Sequence, residues 1–166
     1  MACAATQRLA PLVAHGGVAS CMSAPPLAEA TILGFDFGTR RIGVAVGNTL
    51  VRVAHPLTTI DAQANGARFA ALGALVAQWQ PQLLVVGVPV HADGSAHPMT
   101  ARARRFARQL QGRFGVAVTQ VDERYTTELA RSALAATRAG RAGRETRDEV
   151  AAQLILQGFL DAAPNS

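Results

Sequence analysis

From Thr31 onward, apolar and polar positions fall into blocks that predict a defined order of elements. Within Thr31–Arg40 an apolar run carries Asp36 and is closed by Gly38, and Arg41–Gly47 holds a second apolar run. A tight turn at Thr39 and Arg40 would pair the two as a hairpin. A third apolar stretch covers Val51–Thr59. Asp61 is placed to cap a helix whose Phe69, Leu72, Val76 and Trp79 share one face, with Pro81 ending it. Leu83–Pro89 is apolar throughout, as expected of a strand buried on both faces. Pro98 opens a second helix with Ala103, Phe106, Ala107 and Leu110 as its core stripe and Gly112 near its end. Val116–Asp122 reads as a fifth strand, and a helix from about Thr126 to Arg138 follows. A basic loop, Arg138–Arg144, leads to a last helix over roughly Arg147–Asp161. The order β-β-β-α-β-α-β-α-α predicts an α/β fold: one mixed five-stranded sheet with helices on both faces.

The ends of the chain break this pattern. Residues 1–30 are rich in Ala, Gly, Pro and Ser without a sustained period, and read as a flexible extension before a domain at 31–162. Residues 163–166 read as a short tail. Val18–Cys21 loosely resembles a lipoprotein cleavage box, but His15, Gly16 and Gly17 interrupt the stretch before it and Arg8 is its one basic flank. A start of synthesis at Met22 is the other reading of this region. Cys3 and Cys21 both fall in it, outside any periodic element, and form neither a disulfide framework nor a metal site, so a reducing compartment is expected. No segment is apolar for long enough to span a bilayer.

Composition adds a partner class. The chain of 166 residues is 49% hydrophobic and poor in aromatics, so an aliphatic core is expected. Its 16 basic residues are all arginine and outnumber 11 acids, giving a formal charge of +5. The excess favours a polyanionic partner, above all nucleic acid. Replacement of lysine by arginine alone would reflect compositional bias.

Four acids carry the candidate chemistry. Asp36 lies on an apolar strand, where a carboxylate is costly unless a cation or hydrogen bonds compensate it. Asp148 shares a helical stripe with Ala151, Ala152, Ile155 and Phe159, so it faces the core near a helix start, whereas Glu149 reads as solvated. An acid at a helix start also suits the helix dipole. Asp122 and Glu123 end the fifth strand and point to opposite faces, so at most one shares a face with Asp36 unless the strand bends there. Asp93 and Gly94 form a turn dipeptide. His55 and His97 flank prolines and read as structural, and His91 is a weaker candidate for substrate contact.

Five ordered segments then resemble one family: Ile32–Val46, Val86–Gly94, Thr100–Phe106, Asp122–Thr127, and Asp148 before an aliphatic helix. They are similar to the YqgF/RuvX family of pre-16S rRNA nucleases, related to Holliday-junction resolvases, over about Thr31 to Leu160. The resemblance implies an RNase H-like fold, a cytoplasmic location and maturation of the 5′ end of small-subunit rRNA on ribosomal precursor particles. His91 and Tyr125 stand where the family usually has Asn and commonly Leu. Asp36, one of Asp122 and Glu123, and Asp148 would then gather at one sheet edge and bind two Mg²⁺ or Mn²⁺ ions. Glu123 is slightly favoured as the middle ligand because its longer side chain can reach back over the strand end. Arg40, Arg41 and Arg124 would meet phosphates near the metals, and Arg102, Arg104, Arg105 and Arg108 would track the nucleic-acid backbone. Branched DNA is an alternative substrate, and a non-cleaving nucleic-acid-binding module of the same fold an alternative role. The segment Asp36–Thr39 also resembles the first phosphate loop of actin-like ATPases, but a second such loop and a second domain are missing.

Overall fold

The computed structural model describes residues 29–61, 64–125, 132 and 144–163. Strands β1 (Thr31–Phe37), β2 (Arg41–Asn48) and β3 (Val53–Asp61) form an antiparallel meander. Helix α1 (Asn65–Trp79) leads to β4 (Leu83–Val88), and α2 (Pro98–Phe114) to β5 (Ala117–Asp122), which ends in a 3-10 turn at Glu123–Tyr125. Helix α3 (Arg144–Ala162) closes the described chain. The sheet order is β3-β2-β1-β4-β5, with β1–β4 and β4–β5 parallel. The mixed five-stranded sheet expected from the sequence is therefore present, and the acid-bearing β1 is its central strand. The expected helix at about Thr126–Arg138 and the loop after it lie outside the described residues, apart from Ser132 and from Arg144, which opens α3.

The alternation of each strand divides the core in two. On one face Leu33, Phe35, Ile42, Val44, Leu84 and Val86 pack with Phe69 and Leu72 of α1 and Phe106, Ala107 and Leu110 of α2. Phe106 lies 4.7 Å from Phe37, ring to ring, and meets Phe35 edge-on. On the other face Ile32, Ala45, Leu83 and Val85 pack with Ala152, Ile155, Leu156 and Leu160 of α3. No helix among the described residues is long and apolar enough to cross a membrane.

Local signals misplace several boundaries. β3 starts at Val53 and not Val51, because Leu50 and Val51 are exposed in a turn where Arg52 takes φ 56°. Asp61 remains in β3 and does not cap α1, whose N-cap is Ala64 with no side-chain hydrogen bond. α2 ends at Phe114, two residues past Gly112 as expected, with Gly115 as its C-cap at φ 64°. Its start is as expected: His97 Nδ1 accepts from the Met99 amide while the Thr100 hydroxyl accepts from the His97 amide. His97 is thus structural, as its place before Pro98 implies.

Candidate active site at the strand ends

Asp36 follows Ile32 and Gly34 on the α3 face of β1, so the alternation that buries Phe35 and Phe37 against α2 turns its carboxylate the other way. Gly43 is its register partner on β2. A Cβ built on Gly43 would stand 1.8 Å from the Asp148 carbonyl oxygen. Glycine there lets the first turns of α3 lie against the sheet, which brings Asp148 beside Asp36. Asp148 faces the sheet as the helical stripe requires, and its Oδ2 lies 3.2 Å from Arg41 Nε. Glu149 differs from expectation: it is partly covered, and its Oε1 accepts a hydrogen bond from the Thr59 hydroxyl at 3.3 Å.

The two acids after β5 part in the way that alternation demands. Val118 packs on the α1–α2 face and Val121 on the α3 face, so Asp122 turns to the first and Glu123 back to the second. Glu123 Oε1 lies 2.9 Å from where a Gly87 Cβ would be, so glycine on β4 leaves room for that carboxylate. Asp122 instead clasps Arg124. Its Oδ2 accepts from Nη2 at 2.6 Å and Nε at 2.9 Å, and its Oδ1 accepts from the Arg124 amide.

Electrostatics separates the acids further. Burial, and then the charge of Asp148, push the Asp36 carboxyl up to about 6. Burial, and then Asp36 and Asp122, push Glu123 up to about 7. Asp122 is held low, first by its hydrogen bond from Arg124. No described residue donates a hydrogen bond to the Asp36 carboxylate, so its charge is compensated poorly by the protein. Asp36 is thus the middle of a row, coupled to Asp148 on one side and Glu123 on the other. Among the described residues no three such groups converge on a single point. An all-oxygen carboxylate set of this kind suits hard divalent cations.

The predicted arginines divide. Arg41 is tied to Asp148 and Arg124 to Asp122, both at this edge, while Arg40 is exposed in the β1–β2 turn. Arg102, Arg104, Arg105 and Arg108 are exposed on α2, on the opposite side of the sheet from Asp36. His91 packs its ring 5.1 Å from His97, and the Asp93 carboxylate accepts from the Ser95 amide and hydroxyl as a local turn. Arg68 is the residue that sequence reasoning passed over: it is 9% exposed and donates to the Thr39 carbonyl at 2.9 Å. Its spacing of four from Leu72, on the apolar stripe of α1, was the available signal.

The family model described as "RuvX: Holliday junction resolvase" matches residues 30–162. A Nitrosomonas eutropha protein named as a pre-16S rRNA nuclease is 52% identical over 136 residues, covering 80% of this chain and 85% of the relative. A Nitrosomonas europaea protein of the same name is 53% identical, covering 79% and 89%. T. thermophilus RuvC, solved in complex with a Holliday junction substrate, superposes with a TM-score of 0.54 at 13% identity, over 80% of this chain and 94% of RuvC. That likeness establishes the RNase H-like fold of the RuvC resolvases.

Proposed function

This chain belongs to the RuvX family of Holliday junction resolvases and is a phosphodiester-cleaving nuclease; from that premise we propose that it trims the 5′ end of pre-16S rRNA. The proposed setting is the cytoplasm, on ribosomal precursor particles, and the reaction needs Mg²⁺ or Mn²⁺. The observation that carries this reading is Asp36, a half-buried carboxylate with no described hydrogen-bond donor, coupled to Asp148 and Glu123. Asp36, Glu123 and Asp148 would hold the ions. When bound, such ions would supply an activated water and charge stabilisation at the scissile phosphate.

The chain's own residues do the rest. Arg41 holds Asp148 in place on the α3 side. Asp122 fixes the Arg124 guanidinium at the strand end, where it can meet a phosphate oxygen. Arg40, exposed in the adjoining turn, extends the same basic edge.

Asp36→Asn tests the site with little change of volume. It is expected to keep the fold by circular dichroism and to lose at least about a hundredfold in Mg²⁺-dependent cleavage of an RNA spanning the 5′ junction of 16S rRNA. Full activity of the variant at equal Mg²⁺ overturns the assignment. The family description gives branched DNA a place in the same assay, and faster cleavage of a four-way junction than of the RNA would move the substrate there. Binding of both without cleavage would leave a nucleic-acid-binding module.

A further inference from the structure

We propose that the cleft between α1 and α2, on the sheet face opposite Asp36, is a phosphate pocket that holds a second phosphate of the polynucleotide, away from the carboxylates. The inference rests on the nucleic-acid reading above and deepens it. At 100° per residue the four arginines of α2 split into two flanks, with Arg102 and Arg105 beside Gln109 on one and Arg104 and Arg108 on the other. The first flank faces α1. With Thr39, Asn65 and Arg68 it lines a cleft of about 290 Å³, near the roughly 300 Å³ lower end of ligand sites.

Arg68 gives the cleft a fixed floor. It is nearly buried, donates to the Thr39 carbonyl, and lies 5.7 Å from the centroid of the Phe37 ring. Arg102 and Arg105 stand exposed at the rim. Asn65 begins α1, whose N-cap makes no side-chain hydrogen bond and whose first turn holds no acid, so the positive end of that helix opens here as well. The described lining contains three guanidiniums and no carboxylate. Their mutual repulsion is relieved by an anion, and a guanidinium fork matches phosphate oxygens in geometry.

The polynucleotide follows from position. Thr39 and Arg40 form the β1–β2 turn next to Arg41, the first residue of β2, and Arg41 is paired with Asp148. A strand crossing that turn would reach the cleft with one phosphate and the carboxylate row with another.

Binding of a 5′-phosphorylated single-stranded oligoribonucleotide to the full chain in EDTA, over a range of salt, tests the pocket. R102Q/R105Q is expected to flatten the slope of log affinity against log salt by about 1.4, two contacts at about 0.7 each. R104Q/R108Q removes the same charge from the other flank and is expected to change the slope by less than half as much. Equal effects of the two pairs, or an unchanged slope in R102Q/R105Q, overturn the proposal. On a 5′-hydroxyl probe, loss of the R102Q/R105Q effect assigns the pocket to a terminal phosphate, and its persistence assigns it to a backbone phosphodiester. EDTA removes cleavage from the measurement, so failure of the proposed nuclease chemistry would leave this result standing.

Discussion

Asp122 and Glu123 are neighbours that differ by one methylene, yet the end of β5 gives them opposite surroundings. Asp122 accepts three hydrogen bonds from Arg124, which hold its carboxyl below the usual range. Glu123 turns under α3, against Gly87, where burial and Asp36 raise it to about 7. The carboxylate that lies beside Asp36 is the better placed to share a cation with it. Glu123→Gln is therefore expected to lose about a hundredfold or more in Mg²⁺-dependent cleavage, and Asp122→Asn to stay within about tenfold of the parent. Single-turnover rates at saturating Mg²⁺ compare the two. Equal losses would show that the Asp122–Arg124 clasp matters as much as the carboxylate beside Asp36.

At the scale of elements, the site depends on how closely α3 approaches the sheet. Gly43 and Gly87 remove side chains where the helix and Glu123 need the space, and Arg52 donates to the Leu160 and Ala163 carbonyls to hold the far end of α3. Gly43→Ala would push a methyl group into the Asp148 carbonyl, backbone against backbone, so the first turns of α3 must lift. Overpacking of this kind costs about 1–3 kcal/mol. A drop of several degrees in melting temperature is expected together with a fall in cleavage rate, since Asp148 moves with its backbone. An unaltered melting temperature and rate would show that α3 yields there without strain. Here the sequence was read correctly in kind and wrongly in detail. The stripe of α3 from Asp148 onward was legible because a 3.6-residue period needs no partner to be seen. Asp61 was misread as a cap because a good capping residue is equally able to finish a strand, and the sheet pairing Arg41–Asp61 decided the matter.

For the whole molecule, the row of acids links stability to pH and, through the proposed ions, to metal. Asp36 rises from 3.8 to about 6 and Glu123 from 4.5 to about 7, so the native state binds these protons more tightly than the unfolded chain. Their favourable contribution is complete below about pH 4 and is lost as pH rises through 6 to 7. At about 1.4 kcal/mol per pKa unit, Asp36 alone accounts for up to roughly 3 kcal/mol. In EDTA, the parent is expected to lose melting temperature relative to D36N/E123Q between pH 5 and pH 8. Mg²⁺ is expected to restore the parent more at pH 8 than at pH 5, because ions and protons compete for the same oxygens. Parallel melting curves for parent and double variant across that range would contradict the coupling.

What the sequence determined by itself was whatever lies in local periodicity and in the cost of a misplaced charge. The strand–helix order, the mixed sheet, the aliphatic core and the selection of Asp36 and Asp148 all follow from runs of apolar positions interrupted by single carboxylates. What the tertiary structure decided was pairing between distant segments. It turned Glu123, and not Asp122, toward Asp36. It set Arg41 on Asp148, and it built an arginine cleft from Arg68, Arg102 and Arg105, which lie on two different helices. These outcomes depend on which strand neighbours which and on how near a helix can approach a glycine. Such contacts join residues far apart in the chain, so no single stretch of sequence carries them.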